Sequence, residues 1–559
     1  GDDKGRSIPE HLPHYRGIAG NLMSDQADGL EQLSDEARRA HRQELTPLSF
    51  LERSVQVYPG RVAVTHERRQ YTYRELGDRV NRLASALVRA GLQKGDRVAY
   101  ICPNIPALLE GHFAVPLAGG VLVALNYRLG ASEIARILDH ARARFLFVDH
   151  EFEHLAVHAN AGISVIRVED SGAPEDPYEA FLTTGSPQPL PITLADENEA
   201  ISINYTSGTT GSPKGAVYHH RGAYLNALGE VIETRLTSAS VCLWTLPMFH
   251  CNGWCFPWAV TAVGGRHVCL RKVDPARIWG LIEREAVTHY NAAPTVQTSL
   301  INNENAQPIG REITTCVSGS PPSRELFVGL RRLGITPIHV YGATELYGPY
   351  MICEPQPEWG QLPLDDQAAL LSRQGVNYVV ACPVRVVDDD GFDVPADGAT
   401  LGEVLMRGNT VMTGYFRDPE QTELTLADGW YHSGDLAVRH QDGYVELRDR
   451  KKDIIISGGE NISSIEVERA IRRHPAVLDV AVVSTPDEKW GERPKAFVEV
   501  VDGAEVSPAD IIAFAEQHLP RYMRPDAVEF RKLTRTATGK TEKKPLRDKE
   551  WAGHDRRVG

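Results

Sequence analysis

Short β-rich runs alternate with amphipathic helical stretches from about residue 46 onward, and this alternation limits the possible folds more than any other feature. The run "YTYRELGDRVNRLASALVRAGL" carries apolar residues at helical spacing, and "DRVAYIC" after it predicts a buried strand. "LVAL" and "FLFVDH" are further strand candidates. Such alternation favours α/β layers with largely parallel sheets. The apolar positions of the predicted helix are Leu76, Val80, Leu83, Ala84 and Leu87.

The pattern changes near residue 385, where turn signals recur every few residues and indicate antiparallel strands. A compact α+β pattern follows, with helices predicted in "SIEVERAIRRHPAV" and "PADIIAFAEQHL" and strands in "LDVAVVSTP" and "PKAFVEVV". The charged run "RDRKKD" separates the two regions, so we place a domain boundary between Arg448 and Lys452. The polar residues 1–45 are expected to form an extension or a peripheral helix.

Length and charge narrow the class of protein. At about 150 residues per domain, 559 residues suggest three or four folding units. The net charge of -14 argues against a nucleic-acid or anionic-membrane binder, because those proteins need basic patches. Eight scattered cysteines do not suggest a disulfide framework. The chain shows no signal peptide, no apolar run long enough to span a membrane and no peroxisomal address in "RRVG", so a cytoplasmic location is predicted.

The stretch "YTSGTTGSPKG" follows a predicted strand and has the composition of an anion-binding loop. Its glycines allow close approach to a ligand, its hydroxyls donate hydrogen bonds, and Lys214 adds a compact positive charge. Successive backbone N–H groups in such a turn form an anion-binding nest, which suits a polyphosphate. The Walker P-loop pattern is not met, because Pro213 precedes Lys214 and Gly215 follows it. A mobile polar loop is the alternative that this stretch alone leaves open.

Five motifs in order resemble those of the adenylate-forming enzymes, the family of acyl-CoA synthetases, luciferases and peptide-synthetase adenylation domains. The glycine loop resembles the phosphate loop of this family. The others are "VYGATELYGP" at 340–349, "GWYHSGDLA" at 429–437, "RDRKKDIIISGGENIS" at 448–463 and "RTATGK" at 535–540. The resemblance covers about residues 45 to 550.

The resemblance implies a reaction in two halves, in which a carboxylate attacks the α-phosphorus of ATP and coenzyme A (CoA) then displaces AMP. It implies that Thr344 bonds the α-phosphate, Glu345 binds Mg²⁺ with Thr206, Asp435 accepts from the ribose hydroxyls, and Arg450 contacts ribose or phosphate. The implied phosphate-loop residues are Thr206, Ser207, Gly208, Thr209, Thr210, Gly211 and Lys214. The implied adenine-binding residues are Gly319, Ser320, Pro321, Tyr341, Gly342 and Ala343.

The resemblance also assigns the residues of the acyl and thiol sites. His250, in "TLPMFHCNGWCFPWAV", is expected between the carboxylate site and the thiol channel, and Lys540 is the implied catalytic lysine. Gly458 and Gly459 are expected to let the pantetheine arm pass, and Lys452 is the expected hinge for domain alternation. After Lys540 the sequence "TEKKPLR" departs from the usual family pattern, so the fine geometry of Lys540 stays open.

The implied fold is α/β. A large N-terminal domain (46–449) holds layered α/β subdomains and a β-barrel-like subdomain. A hinge follows at 450–452, and a small mobile α+β C-terminal domain covers 453–559. The implied cofactors are ATP, Mg²⁺ and CoA, no nucleic-acid partner or membrane insertion is expected, and a homodimer is suggested by relatives.

"FHCNGWCFPW", "VYGATELYGP", "PEWGQLP" and "RQGV" resemble an acyl-CoA synthetase subgroup that acts on short- and medium-chain, branched, aromatic or sulfur-containing acids. An amide ligase, passing the same adenylate to an amine such as an amino acid, is the main alternative. Luciferase-like oxidation and a non-enzymatic nucleotide sensor are less favoured.

Overall fold

The computed structural model describes residues 40, 42–160, 162–206, 213–319, 322–458, 460–536 and 541–554. The N-terminal extension predicted for residues 1–45 therefore lies outside the described residues, apart from residues 40 and 42–45. The part of the chain from Thr46 onward forms one compact unit.

The described residues contain β-strands grouped into four sheets. In chain order they are β1 (Val62–His66), β2 (Arg69–Thr72), β3 (Arg97–Ile101), β4 (Val121–Ala124), β5 (Ala143–Asp149), β6 (Ser164–Val168), β7 (Ala200–Thr206), β8 (Lys214–His219), β9 (Val241–Leu243), β10 (Arg266–Val268), β11 (His289–Ala292), β12 (Ile313–Val317), β13 (Ile335–Ala343), β14 (Gly348–Ile352), β15 (Val376–Asn377), β16 (Arg385–Val387), β17 (Gly402–Met406), β18 (Gly414–Tyr415), β19 (Tyr431–Arg439), β20 (Val445–Arg450), β21 (Ile455–Ser457), β22 (Glu460–Ile462), β23 (Val477–Asp487), β24 (Gly491–Val500) and β25 (Ala527–Phe530).

The α-helices connect and cover these strands. In chain order they are α1 (Leu48–Val57), α2 (Tyr73–Arg89), α3 (Pro106–Leu117), α4 (Ala131–Ala141), α5 (Pro177–Thr183), α6 (His220–Glu233), α7 (Phe256–Ala262), α8 (Pro275–Arg284), α9 (Pro294–Ile301), α10 (Arg324–Arg332), α11 (Leu364–Leu371), α12 (Pro419–Thr425), α13 (Ser464–Arg472), α14 (Pro508–His518) and α15 (Lys543–Glu550). No helix in the described part of the chain has the length and apolar content that a membrane span requires.

Two large sheets form the body of the chain. The first has the strand order β15–β14–β13–β12–β11–β9–β10–β1–β2 and is parallel from β13 to β1. The second has the order β18–β8–β7–β4–β3–β5–β6 and is parallel from β7 to β6. The largest hydrophobic core takes residues from both sheets and from α2, α3, α6 and α7. This is the layered arrangement that strand–helix alternation predicts.

Helix α2 illustrates how the sequence determines these elements. Thr72 and Glu75 form a reciprocal capping box, which satisfies N–H groups that the first helical turn leaves unpaired. The five apolar residues predicted for its inner face are all buried at 1% exposure or less. The helix prediction from spacing is therefore confirmed.

Two smaller sheets complete the chain. Strands β16, β17, β19 and β20 form an antiparallel sheet in that order, in the region where closely spaced turn signals predict antiparallel pairing. Strands β22, β21, β24 and β23, with β25 parallel to β24, form the sheet of the C-terminal domain, which α13 and α14 accompany. The predicted fold class, a large α/β domain followed by a small α+β domain, is confirmed.

Candidate active site

The glycine loop joins two paired strands of the second sheet, β7 and β8. β7 ends at Thr206 and β8 begins at Lys214, and these two residues are opposite each other in the antiparallel ladder. The predicted phosphate-loop residues Ser207, Gly208, Thr209, Thr210 and Gly211 lie outside the described residues. The ladder therefore fixes the two ends of the loop side by side, as a hairpin requires.

Lys214 contacts two residues that come much later in the chain, Tyr415 and Gln421. Its Nζ donates to Oε1 of Gln421 at 2.9 Å and lies 5.7 Å from the centre of the Tyr415 ring. Tyr415 is in β18, which pairs with β8, so the tyrosine is brought beside the loop by strand pairing. Sequence reasoning did not identify Tyr415 or Gln421.

The box "VYGATELYGP" forms the tight β13–β14 hairpin. Tyr341, Gly342 and Ala343 end β13, and a 3-10 turn over Thr344–Leu346 leads into β14. A Cβ added to Gly342 would lie 1.7 Å from the carbonyl oxygen of Gly348, so only glycine fits where the two strands approach. The hairpin therefore presents Thr344 and Glu345 at its turn.

Glu345 is fixed by both its side chain and its backbone. The Tyr415 hydroxyl donates to Oε1 of Glu345 at 2.5 Å, and the N–H of Met412 donates to the Glu345 carbonyl at 2.8 Å. Burial and the neighbouring Glu345 carboxylate raise the pKa of Tyr415, so the phenol stays protonated and donates this bond. Tyr415 thus contacts both Glu345 and the Lys214 ammonium.

The Asp435 carboxylate is held by two other predicted nucleotide-binding residues, Tyr341 and Arg450. Its Oδ2 accepts from the Tyr341 hydroxyl at 2.5 Å, and its Oδ1 lies 3.2 Å from Nε of Arg450. Asp435 and Arg450 are direct partners in the β19–β20 ladder. Burial, followed by the Asp435 charge, raises the pKa of Tyr341 well above its usual value. The structure thus brings three predicted site residues from three strands into contact.

His250 precedes a left-handed helical turn. Residues 251–255 have φ values of 50°, 51°, 55°, 55° and 66°, and only one of them is glycine. Left-handed backbone costs roughly 1–2 kcal/mol for each non-glycine residue, so the surrounding structure must hold this turn in place. Strain of this kind is typical of functional sites.

Asn252, inside this turn, ties the His250 segment to the strand before the glycine loop. Its Oδ1 accepts from the Ser202 hydroxyl and from Nδ2 of Asn204, both at 2.7 Å. Its own N–H donates to Oδ1 of Asn204 at 3.2 Å. All three residues are buried at 1% exposure or less. These polar residues in the apolar strand "AISINY" were the signal for this contact, and sequence reasoning passed over them.

The same turn brings His250 near Thr344. The Cys251 thiol lies 3.8 Å from Nδ1 of His250 and 3.6 Å from Oγ1 of Thr344. The Thr344 carbonyl accepts from the Tyr218 hydroxyl at 2.5 Å. The predicted acyl-site histidine and the predicted phosphate-site threonine therefore both lie near the Cys251 thiol.

The structure describes some of the residues predicted for the adenine site and the pantetheine channel, but not all of them. Gly319 follows β12 with a φ of 101°, whereas its predicted partners Ser320 and Pro321 lie outside the described residues. Gly458 has a φ of 61° and approaches Trp490 so closely that an added Cβ would be 2.8 Å from the indole. Gly459 and Lys540 lie outside the described residues.

The residues around Lys452 link the predicted hinge to the last helix. Arg547 of α15 forms an ion pair with Asp453 and donates to the Lys452 carbonyl at 3.4 Å. Burial, and then the Arg450 charge, lowers the pKa of Lys452. Lys543, three residues after Lys540, binds Oε1 of Glu468 at 2.7 Å. Lys543 is thus paired with a residue of the C-terminal domain, whereas Glu345 and Asp435 make the other contacts described above.

Two protein-family models match most of the chain. The AMP-binding enzyme family matches residues 51–416, and the AMP-binding enzyme C-terminal domain family matches residues 466–540. The solved structure of ATP-bound MatB from Rhodopseudomonas palustris is similar with a TM-score of 0.81 at 26% identity, over 91% of this chain and 100% of that one.

Two named relatives from Arabidopsis thaliana match over nearly their whole length. A peroxisomal acetate/butyrate–CoA ligase is 44% identical over 90% of this chain and 94% of its own. A peroxisomal benzoate–CoA ligase is 41% identical over 90% of this chain and 93% of its own. The cytoplasmic prediction is wrong on this comparison, because the absence of sequence addresses was outweighed by relatives that are named as peroxisomal.

The resemblance found in the sequence is thus confirmed at the level of the whole chain. Both family matches occur in the expected order along the chain. The named relatives join an acid to CoA, which favours the acid–thiol ligase over the amide ligase. The chain belongs to the AMP-binding enzyme family and is an AMP-forming acid–thiol ligase.

Proposed function

We propose that this chain converts a short-chain or aromatic carboxylic acid into its CoA thioester, with ATP cleaved to AMP and pyrophosphate. The acid class is supported by the acetate/butyrate and benzoate ligases among its relatives. The observation that carries the proposal is the contact series Lys214–Tyr415–Glu345, which joins the glycine loop to the "YGATE" hairpin. A positive charge and a carboxylate around one tyrosine suit a metal-bound triphosphate.

In this proposal Lys214 and the loop residues 206–211 hold the β- and γ-phosphates. In the same proposal Glu345 and the Thr206 hydroxyl would hold Mg²⁺ beside these phosphates. The residues fit the ion: Tyr415 bonds only Oε1 of Glu345, and Oε2 accepts no hydrogen bond from the described residues. Carboxylate and hydroxyl oxygens are ligands that Mg²⁺ accepts. When bound, the ion would neutralise charge on the departing pyrophosphate.

The nucleoside half would rest on Tyr341, Asp435 and Arg450. Asp435 is an acceptor-only carboxylate, which is suited to two ribose hydroxyls. Its existing bonds to Tyr341 and Arg450 fix its orientation before ATP binds. Gly319, Ser320 and Pro321 would line the adenine on one side, and Tyr341, Gly342 and Ala343 on the other.

In the first half-reaction a carboxylate oxygen of the acid forms a bond to the α-phosphorus, and the bond from that phosphorus to the pyrophosphate oxygen breaks. His250 would orient the carboxylate, and Thr344 would donate to the α-phosphate. The 3.8 Å and 3.6 Å contacts of Cys251 support this pairing, because they hold His250 and Thr344 close together. Lys540 would neutralise the charge that develops on the α-phosphate.

In the second half-reaction the CoA sulfur bonds to the acyl carbon, the thiol proton leaves, and the acyl–oxygen bond to AMP breaks. Rotation about Lys452 would replace Lys540 by the segment of Gly458 and Gly459, along which the pantetheine arm would pass. The domain limits 46–449, 450–452 and 453–559 belong to this proposal, as does a homodimer without nucleic-acid partners.

Separate assays of the two half-reactions test this proposal. Lys540→Ala is expected to lower adenylate formation, measured as pyrophosphate release, by at least about a hundredfold, because charge stabilisation of this kind is worth about 2.7–4 kcal/mol. Conversion of a pre-made acyl-adenylate and CoA to thioester is expected to persist. Lys544→Ala, which removes an exposed neighbouring lysine, is the matched control. Equal loss of both half-reactions in Lys540→Ala would contradict the assigned role.

A further inference from the structure

Gln421 lies beside the glycine loop, and the proposed mechanism gives it no role. Its Oε1 accepts a hydrogen bond from Nζ of Lys214 at 2.9 Å, although the two residues are 207 positions apart in the chain. Both residues are half-buried. Because an ammonium group can only donate hydrogen bonds, the oxygen and not the nitrogen of the amide must face Lys214.

Further hydrogen bonds hold the side chain and the backbone of Gln421 in place. The amide Nε2 donates to Oγ1 of Thr425 at 3.1 Å. The Gln421 N–H donates to Oδ1 of Asp418, the residue that caps the start of α12. Rotation of the amide would lose the bond to Thr425 together with the bond to Lys214. The acceptor for the lysine is thus oriented by its own helix.

Helix α12 is attached to the sheet that carries the glycine loop. Oγ1 of Thr422 accepts from the N–H of Tyr415 at 2.9 Å. Tyr415 lies in β18, which pairs with β8, the strand that begins at Lys214. The centre of the Tyr415 ring is 5.7 Å from the Lys214 Nζ, and the Tyr415 hydroxyl binds Glu345. Gln421 therefore holds the ammonium near the tyrosine that orients the proposed magnesium ligand.

The contact between Lys214 and Gln421 joins a charged group to a neutral one. Within the part of the chain that the structure describes, Lys214 forms no ion pair, and the acceptor at 2.9 Å is an uncharged amide. A lysine ammonium has three donors, so one bond to Gln421 leaves two for phosphate oxygens. A carboxylate in the same place would offset the positive charge and repel a triphosphate. The amide thus limits the movement of a flexible side chain without neutralising it.

We propose that Gln421 is a positioning residue for ATP, which holds the Lys214 ammonium in place before the triphosphate binds and leaves its positive charge available. The proposal rests on the proposed function, in which Lys214 binds the β- and γ-phosphates. Holding the ammonium in advance reduces the conformational entropy that is lost when ATP binds. Gln421 acts on ATP through Lys214, so its effect must disappear when the lysine is replaced.

Gln421→Glu tests the requirement for a neutral acceptor, with pyrophosphate release measured at varied ATP. The new carboxylate is expected to raise the KM for ATP about tenfold and to leave kcat within about twofold, because the lysine must leave an ion pair to bind phosphate. The midpoint of urea unfolding without ATP is expected to stay equal or rise, since the same ion pair forms in the folded chain. A purely structural role would lower ATP use and stability together, and that result would overturn the inference. Gln441→Glu, which adds the same charge at an exposed position, is the control.

Gln421→Met removes the acceptor without adding a charge. It is expected to raise the KM for ATP about three- to tenfold, as the loss of one hydrogen bond predicts. In a Lys214→Met background the same change is expected to alter the KM by less than about twofold, because no ammonium is left to hold. This comparison separates an effect through Lys214 from a general disturbance of α12.

An unchanged KM for ATP in the folded Gln421 variants overturns the inference, as does an equal effect of Gln421→Met with and without the lysine. If Gln421→Glu does not fold, Gln421→Met decides. Lys214→Met distinguishes these outcomes from failure of the proposed function. A wild-type KM for ATP in Lys214→Met would contradict the phosphate role of the lysine itself. A raised KM there, with unaffected Gln421 variants, would contradict only the role of Gln421.

Discussion

At the residue scale, both candidate ligand carboxylates are oriented by tyrosine hydroxyls. Tyr415 donates to Glu345, and Tyr341 donates to Asp435, each at 2.5 Å. Hydrogen bonds to charged groups contribute about 1.5–3 kcal/mol, roughly twice a neutral bond. The two tyrosines therefore fix these carboxylates before any ligand arrives.

Tyr415→Phe tests this role. Removing the hydroxyl leaves Glu345 free to rotate, so kcat/KM for ATP is expected to fall about ten- to a hundredfold. The measurement is pyrophosphate release at varied ATP. Tyr444→Phe is the control, because its hydroxyl donates to the backbone oxygen of Glu354 instead. If Tyr415→Phe also lowers the rate in a Glu345→Gln background by the same factor, the tyrosine does not act through Glu345.

At the element scale, the β13–β14 hairpin sets the position of Thr344 and Glu345. Its strands approach so closely at Gly342 that an added Cβ would meet backbone rather than a movable side chain. The geometry of the turn thus depends on one position that lacks a side chain.

Gly342→Ala is therefore expected to force the two strands apart. We expect the free energy of unfolding to fall by about 1–3 kcal/mol, as overpacking predicts, and adenylate formation to fall with it. Urea unfolding and pyrophosphate release measure the two effects. Gly360→Ala is the control, because an added Cβ there meets nothing within 4 Å. An active Gly342→Ala variant of unchanged stability would show that the hairpin tolerates a wider spacing.

At the scale of the whole molecule, five buried histidines make the fold sensitive to acid. Burial is the main cause that lowers the pKa of each, to about 3 for His267 and to about 4 for the others. An unfolded histidine has a pKa near 6.5, so below that pH the unfolded chain takes up protons that the folded chain does not. The contribution of these neutral histidines to the free energy of unfolding is therefore fully present above about pH 6.5 and is lost as the pH falls towards 4. The five are His112, His219, His220, His267 and His339.

The variant His267→Gln tests how much one of these histidines contributes to the loss of stability in acid. Denaturant unfolding at several pH values is expected to show the wild type losing more stability than the variant between pH 6.5 and 4. The slopes of the free energy of unfolding against pH are expected to differ between the two proteins by at most about 1.4 kcal/mol per pH unit, the value for one proton. His158→Gln, at an exposed position, is the control and should follow the wild type. Parallel curves for His267→Gln and wild type would contradict the assignment.

The hinge prediction also belongs to the whole molecule. Lys452→Pro fixes φ at about −65°, so thioester formation from a pre-made adenylate is expected to be lost while pyrophosphate release persists. Lys452→Ala removes the same side chain but keeps backbone rotation, and it should retain both half-reactions. Thioester formation by Lys452→Pro at the wild-type rate would show that rotation there is not required.

The sequence predicted the fold and the principal motifs better than it predicted the contacts between them. Periodicity located α2, and the motif boxes located Glu345 and Asp435, because both signals are local. Tyr415, Gln421 and Asn252 were missed, since their roles depend on strand pairing and on a left-handed turn that join distant segments. The cellular location was predicted wrongly, because that prediction rested on the absence of targeting addresses in the sequence, whereas similar relatives are named as peroxisomal.

Product identification by mass spectrometry tests the central claim most directly. The enzyme is given ATP, magnesium, a single acid that it activates, CoA and a mixture of amino acids in one reaction. The account predicts the acyl-CoA thioester as the main product, with AMP formed in equal amount. An N-acyl amino acid as the main product, with little thioester, would contradict the account and indicate an amide ligase.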